Sequence, residues 1–369
     1  MSQINEVSRL EETAEKFKVK GNILSVKAFG SGHINDTLRV ETINDNKQSY
    51  LLQRINHHVF PNVEGLMNNI LLVTQHLQSK IAAVDKSLCD THVLTLVLTK
   101  DDKLYYQDEN GDYWRMFLLI EDTRSYDIVE TSQQAFEGGR AFGIFQKQLA
   151  DLDAGKIVEV IPNFHNIQFR LSNLQKAIEA NPLNRVEGVQ DLLDYIAARA
   201  EKMKTILNWG NSGLLPLRIT HNDTKFNNVL LDKNDKVQCV IDLDTVMPGY
   251  VAYDFGDAIR TIINPVAEDE KDTSKIKLLL GLYEAFAEGY LSEAKEFLTD
   301  KECESLVEGV FLFPYMQGVR FLTDYLEGDH YFKTNYEDHN LVRAKTQFKL
   351  VEEMEKNATL LRDIVCKYK

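Results

Sequence analysis

Between His221 and Asp244 the chain sets out, in order, side chains able to handle phosphate and metal. His221-Asn222-Asp223-Thr224-Lys225-Phe226-Asn227-Asn228 fits the pattern His-x-Asp-x-x-x-x-Asn, in which the aspartate faces an acceptor hydroxyl and the asparagine faces a metal ion. Phosphoryl transfer leaves a protein little covalent chemistry to perform. Its contribution is positioning and charge neutralisation: a carboxylate at the hydroxyl, with an amide and a second carboxylate on magnesium. The spacing assigns the catalytic position to Asp223 and a metal position to Asn228. Two carboxylates compete for the second metal position. Asp254-Phe255-Gly256 spells the familiar triplet but lies 31 residues beyond Asp223, after Pro248-Gly249, which read as the turn ending a hairpin. Asp242 lies 19 residues beyond Asp223, at the end of an apolar run that a hairpin returns beside Asn228. Asp242 is therefore the expected ligand, and Asp254 and Asp257 the expected braces of the loop through hydrogen bonds.

The elements that must position these groups are legible from periodicity and turn chemistry. Apolar runs at 228–231 and 237–243 flank Asp232-Lys233-Asn234-Asp235-Lys236, a hairpin signal. Upstream, strands at 23–28 and 38–42 flank Phe29-Gly30-Ser31-Gly32-His33-Ile34-Asn35-Asp36-Thr37. Strand, glycine turn and strand is the layout of a loop that covers phosphates, whereas a dinucleotide fingerprint needs a helix after its glycines. Gly30, Ser31 and Gly32 are thus assigned to the nucleotide, and His33 and Asn35, at the loop tip, to the acceptor or the γ-phosphate. Laying the strand at 49–55 over Val-Ala-Ile-Lys puts Arg54 at the phosphate-pairing cation, with Gln53 on the opposite face. A helix at 62–78 has Glu64 as its only acid and as the default partner of Arg54. β-rich runs at 91–99 and 114–120, with 103–107 between them, complete a sheet of about five strands, and Glu121 and Asp122 begin a hinge whose backbone holds the base.

From Thr131 the pattern is helical, with helices expected at 132–151, 168–180, 186–209, 271–290, 301–326 and 336–367. The fold class is α+β: a bilobal, protein-kinase-like arrangement with a small antiparallel-sheet lobe over 1–122 and a larger, mainly helical lobe over 123–369. In the helix at 301–326, Arg320 and Asp324 are four apart on one face, either as a surface pair or both toward the cleft. Arg320 and the later Tyr331 suit a sugar, whose hydroxyls want fixed donors and whose ring face wants an aromatic.

His-Asn-Asp-Thr-Lys-Phe-Asn-Asn-Val-Leu, then Val-Ile-Asp-Leu-Asp-Thr-Val-Met-Pro-Gly, then Tyr253-Asp254-Phe255-Gly256-Asp257 resemble the aminoglycoside phosphotransferase and choline kinase superfamily. Within it the chain is most similar to N-acetylhexosamine 1-kinases. The resemblance implies a kinase using ATP and Mg2+ on a small-molecule acceptor, here the anomeric hydroxyl of an N-acetylhexosamine. Choline, an aminoglycoside or another sugar are alternative acceptors, and a nucleotide-binding pseudokinase is the alternative from another class. A protein kinase is disfavoured, because no Ala-Pro-Glu segment follows the hairpin.

Composition bounds the rest. The 369 residues exceed what one core usually supports, and a net charge of −14 argues against a nucleic-acid backbone or an anionic membrane as partner. No apolar run approaches the roughly 18 residues of a spanning helix, and residues 1–20 lack a secretory apolar segment, so a cytoplasmic protein is expected. Cys89, Cys239, Cys303 and Cys366 are dispersed, without Cys-x-x-Cys spacing, which points away from zinc and from a disulfide framework.

Overall fold

The computed structural model describes residues 3–30, 34–43 and 48–369. Helix α1 (Gln3–Ala14) precedes an antiparallel sheet of β1 (Asn22–Ala28), β2 (Asp36–Ile43) and β3 (Ser49–Ile55). After α2 (Val63–Asp85) and the short α3 (Cys89–His92) come β4 (Leu96–Val97), β5 (Tyr106–Gln107) and β6 (Tyr113–Leu118). The strand order is β1-β2-β3-β6-β4, with β5 also on β6. The stretch at 91–99, expected as strand throughout, starts helical. Asp85 caps Ser87 through its side chain and starts a tight turn that runs into α3, leaving only Leu96–Val97 for the sheet.

Alternation along β3 and β6 sorts two faces. Tyr50, Leu52, Trp114 and Met116 pack with Ala14 and Phe17 at the end of α1. Ile55 and Phe117 face the other way, onto Val63, Leu66, Met67, Ile70 and Val73 of α2. That second core does not stop at the sheet. It continues through Phe145 and Leu149 to Cys239, Leu243, Val246 and Met247, so one apolar cluster ties the sheet to the segment on either side of Asp242.

The larger C-terminal region holds α4 (Ser132–Leu149), α5 (Ile167–Ala180), α6 (Gln190–Met203) and α7 (Thr205–Asn211). The strands β7 (Arg218–Thr220), β8 (Val229–Leu231), β9 (Val237–Val240) and β10 (Met247–Gly249) follow, then α8 (Val251–Ile262), α9 (Leu280–Ala294), α10 (Asp300–Glu327), α11 (His339–Lys356) and α12 (Ala358–Tyr368). The expected helix at 186–209 is divided at Lys204, and that at 336–367 at Asn357. The expected helix at 271–290 begins only at Leu280, because Asp272 caps Ser274 and diverts the chain into a short turn first. Helix α8 was not expected at all.

Two helix pairs touch backbone to backbone. A Cβ at Gly289 of α9 would sit 2.0 Å from the Phe136 carbonyl of α4, and one at Gly139 of α4 2.1 Å from the Phe286 carbonyl. Between α8 and α10, a Cβ at Gly309 would sit 2.0 Å from the Ala252 carbonyl, and one at Gly256 2.3 Å from that of Gly309. Gly309→Ala should therefore overpack a backbone contact and lower stability by about 1–3 kcal/mol. Gly188→Ala, where nothing lies within 4 Å, should leave the melting temperature unchanged. Thermal unfolding of the two variants checks the contrast.

Candidate active site

The catalytic stretch is built by two small strand pairs. β8 and β9 form the expected hairpin, its turn closed by Asp232 Oδ1, which accepts from the backbone N–H of Asn234 (2.7 Å) and Lys236 (2.9 Å). The Ile241 N–H donates to the Asn228 carbonyl at 2.9 Å, which brings Asp242 alongside Asn228. Pro248-Gly249, expected as a turn, is instead part of β10, which pairs antiparallel with β7. A strand with proline is tolerated there because the pair is only two strands wide.

Hydrogen bonds fix the loop between these strands almost residue by residue. His221 Nε2 bonds the Ile241 carbonyl (2.8 Å), and its Nδ1 accepts from the Asp223 N–H (3.3 Å), which assigns the proton to Nε2. Asn222 is held at φ +64°, a left-handed conformation that asparagine tolerates better than most residues. Its Nδ2 donates to the Thr220 and Thr245 carbonyls at 3.1 and 3.0 Å. Asp254, buried in the first turn of α8, accepts from the backbone N–H of His221 (2.8 Å) and Asn222 (2.7 Å) and from Gln146 Nε2 (2.7 Å). Burial pushes its carboxyl pKa up, against the pull of His221 and these bonds. Asp257 accepts from the Thr224 N–H (3.1 Å) and from Arg260 (3.0 Å). Both acids thus grip the loop backbone.

With the backbone fixed, the side chains of Asp223, Asn228 and Asp242 are left to face the cleft. Asp223 pairs with Lys225 Nζ at 2.9 Å. Asn228 Nδ2 donates to the Asp223 carbonyl at 2.8 Å, which turns Oδ1 of the same amide outward. Asp242 adopts φ +60° and ψ +59°. Its side chain offers surface to the cleft, yet protein walls it closely enough that desolvation, followed by the charges of Asp244 and Asp223, pushes its pKa up to about 6.

Beside the charges of Asp244 and Asp223, Asp242 resists ionisation, and a cation there would lower the energy. Asp242 and the Asn228 Oδ1 are hard oxygen donors. Among the described residues no group of three or more His, Cys, Asp or Glu side chains could hold a metal unaided. Magnesium typically takes one or two protein carboxylates and draws its other ligands from water and phosphate, so the residues present fit an ion delivered with a nucleotide.

The sheet side differs from expectation. Arg54 lies on the outer face, 43% exposed, and its guanidinium binds Asp36, with Asp112 at 3.3 Å. Glu64, exposed in the first turn of α2, is not its partner. The residue of β3 that faces the cleft is Gln53. A shift of one residue along a strand exchanges its faces, so laying the kinase pattern one place too far chose the wrong side chain. The cation on the cleft side is Arg115 of β6, fully buried, which Gln53 Oε1 accepts from at 2.9 Å and whose fork closes on Asp244, one of its two contacts at 3.0 Å. Sequence reasoning missed it. Asn35, expected on the acceptor, has both polar ends engaged within the protein: Nδ2 donates to Asp244 Oδ2 at 2.7 Å and Oδ1 accepts from the Asn56 N–H at 2.9 Å. Gly30 has φ +74°, whereas Ser31, Gly32 and His33 lie outside the described residues. Glu121 pairs with Arg39 at 3.1 Å, and Asp122 has φ +58°. Just beyond them, Arg124 and Leu231 exchange two backbone hydrogen bonds of 2.9 Å, stitching the connection between sheet and helices to the hairpin.

On the far side of Asp223 stand residues of α5 and α10. Asp324 is turned inward and accepts from the N–H groups of His330, Tyr331 and Phe332 at 2.7–2.9 Å, so no Arg320–Asp324 pair forms. Arg320 bonds Gln317 at 3.0 Å and lies 5.8 Å from the ring centroid of Tyr331. His165, not singled out from the sequence, bonds the Asn222 carbonyl through Nε2 at 2.9 Å. Burial, with Arg320 and Arg170 adding to it against the Asn222 bond, drives its pKa down to about 3, so it is a neutral donor to the loop.

A model of the phosphotransferase enzyme family (APH) matches residues 25–296, and the chain belongs to that family. Its fold is similar to a choline kinase from Cryptosporidium parvum Iowa II, at a TM-score of 0.59 and 13% identity, covering 96% of this chain and 97% of that one. It is also similar to the amicoumacin kinase hAmiN, solved with AMP-PNP and Ca2+, at a TM-score of 0.58 and 11% identity over 94% and 93% of the two chains. An aminoglycoside phosphotransferase from Alicyclobacillus acidocaldarius gives 0.57 at 10% identity, over 97% and 94%.

Asp242 and Asp254 should separate cleanly in stability. The folded pKa of Asp242 is raised above its unfolded value, so its ionised form costs stability in full above about pH 6, and the cost fades as pH falls toward 4. In metal-free buffer Asp242→Asn should accordingly melt higher than the native protein at pH 7.5, with the difference shrinking below pH 6. Mg2+ with a non-hydrolysable nucleotide should stabilise the native protein but not this variant. Asp254→Ala should melt lower at every pH, since two buried N–H groups lose their acceptor at about 1–3 kcal/mol each.

Proposed function

We propose that this phosphotransferase is an ATP- and Mg2+-dependent sugar kinase that phosphorylates the anomeric hydroxyl of an N-acetylhexosamine. Residues 1–122 hold the nucleotide and residues 123–369 the acceptor, and the enzyme works in the cytoplasm, where its donor is found. The observation that carries the reading is the wall beside Asp223. It presents Arg320, Arg170 and the exposed Tyr331, donors and an aromatic suited to hydroxyls and a ring face. A choline or aminoglycoside acceptor is a cation and wants acids or an aromatic cage, and two guanidinium groups repel it.

In this reading Asp223 accepts the proton of the acceptor hydroxyl while its oxygen attacks the γ-phosphorus in line. The new O–P bond forms as the bond to the β,γ-bridging oxygen breaks, and ADP leaves. Lys225, 2.9 Å from Asp223, holds that carboxylate and stands ready for the γ-phosphate. Asn228 and Asp242 hold Mg2+, which when bound neutralises the phosphate oxygens. Gly30, Ser31 and Gly32 cover the phosphates, the backbone of Glu121 and Asp122 holds the base, and His33 meets the sugar. Asn35 and Arg115 act through Asp244 as positioning residues rather than by touching substrate.

Asp223→Asn keeps shape but removes the base, so kcat should fall by about a hundredfold or more while nucleotide affinity survives. Arg54→Ala should leave KM for ATP unchanged, in contrast to a residue on the phosphates. An acceptor panel read by phosphorus NMR should return sugar 1-phosphates. Phosphorylated choline or aminoglycoside without any sugar product would overturn the choice of acceptor and leave the kinase chemistry standing.

A further inference from the structure

Arginine that is drawn into this protein is nearly always neutralised. Arg115 has Asp244, Arg199 has Glu355, Arg218 has Glu302, and Arg260 has Asp257 and Glu268. The remaining partly enclosed arginines, Arg39, Arg140, Arg185 and Arg343, also have a carboxylate within 4.0 Å. Among the described residues, Arg170 and Arg320 are the enclosed arginines without one. Arg170 donates through Nη2 to the Phe164 carbonyl at 2.8 Å, and its Nε is buried with no partner. Arg320 hydrogen-bonds the neutral Gln317 and, at 3.5 Å, the Tyr331 hydroxyl, and lies 5.8 and 5.3 Å from the ring centroids of Tyr331 and Phe332, with no anionic partner among these contacts.

The two stand on one wall. His165, five residues before Arg170, packs its ring 4.9 Å from Phe313 of α10, and Arg320 lies two turns further along the same face of α10. His165 also bonds Asn222, which places this wall beside Asp223. Its Nδ1 is buried and unpartnered, a second polar atom of the wall with nothing to bind. The two guanidiniums are close enough that burial and the charge of Arg320 lower the pKa of Arg170 to about 10, and no carboxylate offsets them. Holding two like charges together with little solvent costs stability, so the arrangement asks for an external anion. A planar fork that meets oxyanions bidentately is the side chain suited to that anion.

We propose that the acceptor is an anionic sugar, an N-acetylhexosamine bearing a carboxylate, phosphate or sulfate away from the hydroxyl presented to Asp223, and that Arg170 and Arg320 bind that group. The proposal rests on the sugar-kinase reading and narrows it from a neutral sugar to a charged one. It also gives the acidic protein, of net charge −14, a local reason to keep this patch positive.

The test compares kcat/KM for N-acetylglucosamine, its 6-phosphate, its 6-sulfate and its 3-O-lactyl ether, N-acetylmuramic acid, all of which keep a free anomeric hydroxyl. At low ionic strength at least one anionic sugar should exceed N-acetylglucosamine by about tenfold or more, and the margin should narrow as salt is added. Arg170→Gln and Arg320→Gln should each shrink that margin, with Arg170→Lys retaining part of it. Folding does not confuse the result, because Arg170→Gln removes an uncompensated charge and should melt no lower than the native protein. Equal or better use of neutral N-acetylglucosamine, or a margin unmoved by either substitution, overturns the proposal while the sugar-kinase reading stands. Choline or aminoglycoside phosphorylation with no sugar product overturns both.

Discussion

A buried ion pair, Arg115 with Asp244, is the interaction on which the rest of the cleft depends. It joins the central β6 strand to the segment just after the hairpin, 129 residues away, with both side chains almost wholly out of solvent. Two charges taken out of water repay their desolvation only when the geometry is good and the remaining donors and acceptors are met. Here Gln53 takes the third guanidinium position and Asn35 the spare lone pair of Asp244. Removing either charge would strand the other, at a cost of about 3–5 kcal/mol. The same pair ties three parts of the sheet region, β3, β6 and the loop after β1, to one carboxylate. Because Asp244 is drawn toward the sheet, Asp242, two residues earlier, is left in its left-handed conformation with its carboxylate on the cleft. The placement of the Asp242 carboxylate is thus a consequence of how the sheet is fastened to the helices.

Short-range chemistry made part of this readable from the sequence. A hairpin is specified within a few residues by its turn and its two apolar runs, so Asn228 and Asp242 could be brought together on paper and are together in the fold. Which face of a strand meets the cleft is a different matter. Gln53 and Arg54 are adjacent, and alternation says only that they oppose each other; the choice is made by α1 and α2 packing on the two faces. The pattern favoured the charged residue, and packing favoured the amide. Arg115 and Asp244 could not be paired in advance for a similar reason, since nothing local to either names the other. Helix α8 escaped notice because Asp254-Phe-Gly reads as a motif and Gly256 lowers helix propensity by roughly 1 kcal/mol. The close contact of Gly256 with Gly309 is what makes the glycine worth keeping.

Charge divides the cleft into two ends. Asp223, Asp242 and Asp244 gather on the hairpin side, Asp223 paired with Lys225 and Asp244 with Arg115, so that among the described residues Asp242 is the one of the three with no salt bridge. Arg170 and Arg320 gather on the α5–α10 side, where the cations have no carboxylate of their own. A substrate polar at both ends is oriented by such a field before any hydrogen bond forms, and a reversed orientation meets like charge at both ends. His165 stands between the ends as a neutral ring, bonded to the Asn222 carbonyl. Its low pKa matters here, because a second positive charge beside Asp223 would compete with the metal side for that carboxylate.

Both ends are referred to a single element. Helix α10 is buried along almost its whole length, fixed at its start by a capping box between Thr299 and Glu302 and ended by Gly328 at φ +112°. At Gly309 it meets α8 backbone to backbone, and α8 presents Asp254 and Asp257 to the catalytic loop. Eleven residues further on, the same helix carries Arg320, beside Tyr331 and on the side of His165. In the proposed reading this rigid helix sets the distance between the Asp223 carboxylate, which would meet the hydroxyl, and the Arg320 guanidinium, which would meet the rest of the acceptor, a specificity constraint no loop could hold as firmly. Close-packed glycines and a deeply enclosed helix, which taken alone describe a stable core, would in that reading also be the ruler by which the cleft measures its substrate.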